Sequence, residues 1–400
     1  MDIGSHFLPE NRRRLVLRRG RERLGSSRHP WIFSGAIEGE EGPEDAAIAD
    51  LVDRHGRRLA SGFHSRHSQI RLRVVAGEDE DLTPDLIRAR IATAVRRRDA
   101  LLSDSTDALR LVHSEGDDLS GLVVDRYGDT LVVEITSAGL DALRELAVEA
   151  LEQSFPLEGI VFHNDLAARR LEKLPLEESV TGDPSRELTV MENGLRFVVR
   201  PGAGQKTGFF LDQRENRALA RTISRDRRVL NLFSYSGGFG VNAAAGGASV
   251  VEEVDVSAPA IEAAGENHRI NPSGADVRLV VADAFSWTRE RLSGGERYDL
   301  VVSDPPAFAK TRGDVDRAAR GYKDINLQAM KLLEPGGELL TFSCSGHISL
   351  DLFQKIVYSA ALDSGRRASF VRRLGAGADH PVSLFAPEGE YLKGLWVRVE

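Results

Sequence analysis

Two short runs in the C-terminal third carry residues that can do chemistry. Ser303-Asp304-Pro305-Pro306-Ala307-Phe308 sets a carboxylate before two prolines and an aromatic ring. Proline fixes φ and lowers the entropy of the loop, so Asp304 presents a rigid hydrogen-bonding edge. Phe308 offers a face on which a flat base could stack. Thr341-Phe-Ser-Cys344-Ser-Gly346 holds the one cysteine of the chain. A thiol becomes a nucleophile when nearby dipoles or cations stabilise its thiolate. A lone cysteine is commonly an inert core residue. The place of Cys344 at the mouth of a sheet favours catalysis.

A third run, Val229-Leu-Asn-Leu-Phe-Ser-Tyr-Ser-Gly-Gly-Phe-Gly240, reads as a buried strand, a tight glycine-rich turn and the start of a helix. Gly237 and Gly238 can take backbone angles that a Cβ forbids, and they let a ligand approach the main chain. Asp255 follows roughly 20 residues on, where nucleotide-binding sheets place an acid on ribose hydroxyls. The fingerprint G-x-G-x-x-G is absent. Gly-Gly-Phe-Gly fits a nucleoside without a pyrophosphate, such as S-adenosylmethionine. Taken alone, the turn is equally an ordinary strand-to-helix connection.

The elements that must position these residues alternate from Val229 onward. Strands are expected at 229–232, 249–254, 277–281, 299–303, 338–343 and 394–399, with helices beginning near Phe239, Ser257, Ala284, Ile325 and Leu350. Such alternation implies a mostly parallel, doubly wound sheet, whose ligands sit beyond the carboxyl ends of its strands. Ser236 to Phe239, Asp255, Asp283, Asp304 and Cys344 all fall there. Upstream, Asn193-Gly194 is the preferred pair for a hairpin turn between 188–191 and 195–199. The loop from Pro201 to Arg214 mixes glycines, Lys206, Thr207, two phenylalanines and an Asp/Arg pair, and is expected to line a site.

Residues 1–78 read as a β-rich module. Ile70, Leu72 and Val74 alternate with Arg71 and Arg73, as in a half-buried strand. Arg18, Arg19 and Arg28 stand in an arginine cluster near Trp31 and Phe33. Arginine contacts phosphate and stacks on bases, so the cluster is expected to bind RNA. The two aromatics are expected in the core. Residues 79–187 form a small central α/β unit with a helix over 86–102, and the loop 115–121, despite three carboxylates, is expected to be structural rather than a metal site. The third domain is 188–400.

Four hundred residues allow two or three domains. A composition of 41% hydrophobic and 28% charged residues is that of a globular protein. No apolar run approaches the ~20 residues needed to span a bilayer, and no secretory signal follows Arg12, Arg13 and Arg14. One cysteine excludes a disulfide framework and a multi-cysteine zinc site. A cytoplasmic protein is expected. The net charge of −8 does not exclude nucleic acid, because the distribution of charge matters more than its sum.

The motifs together resemble those of the bacterial 23S ribosomal RNA cytosine-C5 methyltransferases, which join an N-terminal PUA domain to a Rossmann-like class I domain that uses S-adenosylmethionine. The resemblance runs over nearly the whole chain: Arg28-His-Pro-Trp-Ile-Phe-Ser-Gly35, Gly121-Leu-Val-Val-Asp-Arg-Tyr127, Lys206-Thr-Gly-Phe-Phe-Leu-Asp-Gln-Arg214, Asn231-Leu-Phe-Ser-Tyr-Ser-Gly-Gly-Phe239, Asp304-Pro-Pro, Arg320-Gly-Tyr-Lys-Asp-Ile-Asn326 and Thr341-Phe-Ser-Cys-Ser-Gly346. It implies that the methyl donor lies against Ser234, Ser236, Gly237 and Gly238, with Asp255 on its ribose and Asp283 near its adenine. Lys206, Thr207, Phe209, Asp212 and Asp304 would complete the pocket. Cys344 would attack C6 of a flipped cytosine while Asp304 holds its edge, giving 5-methylcytosine. No metal is implied.

Many RNA cytosine-C5 methyltransferases carry a second cysteine after the Asp-Pro or Pro-Pro motif. Here Ala307 and Phe308 stand there, as in the resembled subfamily, and the base for the C5 proton is unassigned. Two other readings stay open. Asp-Pro-Pro with an aromatic also resembles the motif of amino-group methyltransferases, and a non-catalytic RNA-binding assembly factor could keep the fold. The partner expected is ribosomal RNA and no membrane; a homodimer is left open.

Overall fold

Strand Ile70–Ala76 forms where apolar residues alternate with arginines. It lies second in a six-stranded sheet whose order is Trp31–Phe33, Ile70–Ala76, Arg58–His64, Ile48–Val52, Arg13–Leu17 and Ile37–Glu41. The computed structural model describes residues 2–21, 23–176, 178–184, 187–201 and 208–400. The chain divides into two units, one of residues 1–188, 199–208 and 378–389, the other of 189–198, 209–377 and 390–400.

The edge strand Trp31–Phe33 corrects the expectation for its aromatics. Successive side chains of a strand point to opposite faces. Ile32 is 1% exposed and takes the core side, so Trp31 and Phe33 must face away, and Phe33 is 48% exposed. Trp31 Nε1 instead donates to Glu115 Oε1 over 2.7 Å.

A five-stranded sheet belongs to the same first unit, in the order Glu178–Gly182, Gly159–His163, Thr130–Ile135, Leu122–Tyr127 and Ala108–His113. Thr83 caps the helix Pro84–Arg98, accepting the Leu86 N–H. Its buried Ile87, Ile91 and Val95 join Leu109, Leu122 and Ile135 of this sheet, with Ile48 and Phe63 of the six-stranded one, in a single apolar cluster. The loop 115–121 is structural: the buried Asp117 accepts from both terminal nitrogens of the buried Arg98, at 2.7 and 2.8 Å. Among the described residues no helix is long and apolar enough to cross a membrane.

Strands Leu188–Glu192 and Leu195–Val199 turn at Asn193 and Gly194, which have φ of 50° and 80°. The second unit then builds one seven-stranded sheet. Its strands, numbered along the chain, are β1 (Arg228–Leu232), β2 (Val250–Asp255), β3 (Asp276–Val281), β4 (Tyr298–Ser303), β5 (Leu333–Ser343), β6 (Ala368–Leu374) and β7 (Lys393–Val399). The helices are α1 (Arg214–Ile223), α2 (Gly238–Ala245), α3 (Ala258–Ile270), α4 (Ala284–Ser293), α5 (Val315–Leu332) and α6 (Leu350–Ser364). The sheet order is β3-β2-β1-β4-β5-β7-β6. The first five strands pair in parallel; β7 is antiparallel to both of its neighbours.

Helix α5 begins at Val315 rather than near Ile325. Thr311 and Asp314 form a reciprocal capping box at its entry. Gly321 lies inside it, with the Phe308 ring packed 3.3 Å from where a Cβ would stand. Strand β6 and helix α1 have no counterpart in the sequence reading. Six of the seven residues of β6 are exposed, so this edge strand shows no apolar alternation.

Candidate functional site

Because β1 to β5 run parallel, their carboxyl ends share one edge of the sheet, and the residues there define the site. The chain leaves β1 through a strained turn, with Phe233, Tyr235 and Gly237 at φ of 58°, 47° and 77°. A Cβ on Gly237 would stand 2.9 Å from Ala264 Cβ, and one on Gly238 2.9 Å from Arg217 Cδ. The turn therefore needs glycine for conformation at the first position and for space at both. Asp255, at the end of β2, anchors it: its carboxylate accepts the N–H groups of Tyr235 and Ser257, each at 2.9 Å. A carboxylate has about four acceptor sites, so Asp255 can still receive a vicinal diol. Ser234 Oγ is buried and has no hydrogen-bond partner among the described residues. A buried orphan hydroxyl beside a glycine turn suits a polar ligand, and the turn with Asp255 has the donors and acceptors that a nucleoside would need.

A second wall comes from the segment before α1. Phe209 is buried against Phe197, ring centroids 4.9 Å apart, and beneath the Arg217 guanidinium at 4.4 Å. Arg217 makes a bidentate pair with Glu192, both buried, and donates to the Phe210 carbonyl at 2.8 Å. Asp212 is buried and accepts from Tyr391 Oη at 2.5 Å. Gln213 Nε2 donates to Asp304 Oδ2 at 2.9 Å, and Asn216 Nδ2 in turn donates to Gln213 Oε1.

Asp304 and Cys344 follow neighbouring strands, since Ser303 pairs with Thr341 in the parallel β4–β5 ladder. Cys344 is half-buried, with Sγ 3.9 Å from the Pro305 carbonyl oxygen. The next residue is held from three sides. Ser345 Oγ accepts the Ala309 N–H at 3.1 Å and shares a hydrogen bond with Tyr322 Oη at 2.9 Å, while its carbonyl accepts from Lys393 Nζ at 2.7 Å. Burial holds the Lys393 ammonium below its ordinary pKa and raises the Tyr322 phenol.

Other expected residues lie as follows. Asp283 is exposed and caps α4, with Oδ1 accepting from Ser286 N and Oγ at 2.9 Å each. Phe308 is half-buried in an aromatic cluster with Tyr322, Phe285 and Phe233, 4.6, 6.1 and 6.4 Å away. Ser236 is buried, and its carbonyl accepts from Asn267 Nδ2. Arg18, Arg19 and Arg28 are exposed on the first unit; Arg18 Nε donates to the Ile37 carbonyl and Arg28 lies over the Phe385 ring. Lys206 and Thr207 lie outside the described residues.

Sequence reasoning missed Glu192, Arg217, Tyr391 and Lys393 as supports of the site, and took Gln213 only as part of a motif. One signal was available: Lys393 shares the parity of Leu395, Val397 and Val399, an otherwise apolar face, where a charge must find a partner.

A parallel sheet of this order, with a glycine turn after β1 and an acid closing β2, defines a class I S-adenosylmethionine-dependent methyltransferase. The family model for S-adenosylmethionine-dependent methyltransferases matches residues 130–386. A model for PUA-like domains matches residues 15–76. The chain is 44% identical to ribosomal RNA large subunit methyltransferase I of Shewanella amazonensis, over 96% of this chain and 99% of that one. It is 45% identical to the protein of the same name from Tolumonas auensis, over 96% and 98%. The chain belongs to the ribosomal RNA large subunit methyltransferase I family. Among solved structures, SMU.776, in complex with SAH, shares the fold with a TM-score of 0.83 at 21% identity, over 96% of this chain and 100% of that one.

Proposed function

We propose that this protein transfers a methyl group from S-adenosylmethionine to C5 of a cytosine in large-subunit ribosomal RNA, with Cys344 as the nucleophile. The relatives' names support the RNA substrate. The observation that carries the chemistry is the pairing of two strand ends, which sets the half-buried Cys344 thiol beside the Asp304-Pro305-Pro306 segment. A ribosomal substrate places the enzyme in the cytoplasm.

S-adenosylmethionine, when bound, supplies an electrophilic methyl group on a sulfonium. The Ser234–Gly238 turn, Ser234 Oγ and Asp255 would hold it, with Asp283, Phe209 and Asp212 completing the pocket. Asp304, braced by Gln213, hydrogen-bonds the cytosine edge and offsets charge as the ring is attacked. Cys344 Sγ would bond to C6, the electron pair of the C5–C6 double bond moving to C5, which takes the methyl group as its bond to the donor sulfur breaks and that pair returns to sulfur. Loss of the C5 proton to a base re-forms the double bond and expels the thiolate. Arg18, Arg19 and Arg28 of the PUA-like module contact RNA phosphates, and the Phe308 ring edge flanks the flipped base.

The test is methylation of ribosomal RNA with labelled donor by wild type and Cys344→Ala, with the product nucleoside read by mass spectrometry. Wild type yields 5-methylcytosine and the variant none, while SAH binding persists. Full activity in the variant, or an N-methylated product, would transfer the chemistry to Asp304 and the Pro305 carbonyl as acceptors of an exocyclic amino group.

A further inference from the structure

Lys393 begins β7 directly opposite Ser343 in the antiparallel ladder with β5. Its side chain is buried, 3% exposed. Two of its three ammonium protons are placed: Nζ donates to the carbonyls of Ser345 at 2.7 Å and of Tyr391 at 2.6 Å. No ion pair joins it to a carboxylate among the described residues. A buried ammonium satisfied only by carbonyls is costly unless an anion forms beside it. The Ser345 carbonyl it grips belongs to the residue after Cys344, which sets the ammonium within one residue of the thiol, where a negative charge on Cys344 favours the charged lysine.

We propose that Lys393 is the positioning residue of the nucleophile, clamping the Cys344–Ser345 turn through its carbonyl contacts and stabilising Cys344 as the thiolate through its charge. Its catalytic meaning rests on the reading of Cys344 as nucleophile; the electrostatic pairing itself does not. Other titratable groups on the surrounding elements are Tyr322 on α5, Asp304 beyond β4, and Glu390 and Tyr391 before β7, the last bonded to Asp212. Asp304 and Glu390 oppose a thiolate, and Lys393 offsets them. On ionisation the thiol proton passes to solvent, Lys393 keeps its protons, and the freed Sγ pair forms the bond to C6.

The chain has one cysteine, so alkylation of the full-length protein reads Cys344 alone. The rate of iodoacetamide alkylation is measured against pH for wild type, Lys393→Met, Lys393→Gln and Lys393→Arg, with SAH binding as the check on folding. The wild-type midpoint is expected below the ordinary thiol value of about 8.5. In Lys393→Met and Lys393→Gln it rises by about one pH unit, and the rate at pH 7 falls about tenfold; Lys393→Arg restores most of it. Glutamine keeps donors for the carbonyls without the charge, so an unchanged midpoint in a folded Lys393→Gln overturns the proposal. A wild-type midpoint at or above about 8.5 overturns it without any variant. Methyl transfer is not read in this assay. Retained activity in Cys344→Ala would sink the nucleophile reading and leave the alkylation result to decide the role of Lys393.

Discussion

Removing the carboxylate of Glu192 tests whether the wall of the proposed donor site depends on a buried ion pair. Glu192 is fully buried and Arg217 nearly so, with side-chain exposures of 0% and 3%. Two charge-assisted hydrogen bonds join them, and among the described residues the guanidinium also meets the Phe210 carbonyl and the Phe209 ring. In Glu192→Ala the guanidinium stays buried with no counter-charge, which costs about 3–5 kcal/mol. The double variant Glu192→Leu/Arg217→Met removes both charges and keeps most of the volume. It should cost less than Glu192→Ala alone, because a buried pair roughly breaks even against apolar packing. The assay is urea unfolding followed by tryptophan fluorescence in a Trp31→Phe background, where Trp287 and Trp396, both in the second unit, are the remaining reporters. SAH affinity should fall with stability, since Arg217 Cδ borders Gly238 and its guanidinium holds the segment before α1. A loss below about 1 kcal/mol in Glu192→Ala, or a double variant worse than the single one, would refute the reasoning.

Three further outcomes are expected. Asp255→Ala leaves the N–H groups of Tyr235 and Ser257 unanswered, and should weaken donor binding by calorimetry at least about tenfold, one charge-assisted contact being worth roughly 1.5–3 kcal/mol; a change below threefold would contradict it. Gly237→Ala forces a side chain into φ of 77° and against Ala264, costing about 1–3 kcal/mol in second-unit stability and lowering donor affinity; a neutral effect on both would show that the turn relaxes freely. Burial, with Arg110 and His380 beside it, holds the His113 imidazole down at about 2. Above pH about 6.5 this has no effect on stability, because the unfolded imidazole is also neutral. Below it the unfolded chain takes up a proton that the folded one refuses, so first-unit stability falls by about 1.4 kcal/mol per pH unit. His113→Gln should flatten that part of the profile, and an unaltered slope would be the contrary result.

The residues at the strand ends were legible because their signals are local. Strand-to-helix alternation placed Asp255, Asp304 and Cys344 at strand ends, and the turn at Gly237 was marked by residue type alone. The Asn193-Gly194 hairpin was marked in the same way. Edges were harder. Strand β6 is too exposed to carry an apolar period, and the parity of Trp31–Phe33 became plain only once Ile32 was seen to take the core. The start of α5 was hidden by Gly321, against which the Phe308 ring packs, a contact that the sequence could not show.

By itself the sequence determined which side chains stand at the ends of which strands, because periodicity, turn chemistry and capping act over a few residues. Only the tertiary structure decided what supports them. Gln213 reaches Asp304 across 91 residues, Arg217 reaches Glu192 across 25, and Lys393 reaches the Ser345 carbonyl across 48. No local preference encodes such contacts. They arise because an antiparallel last strand inserts between β5 and β6 and returns a lysine to the cysteine turn, and because a buried charge must be answered by whatever the packing brings within reach.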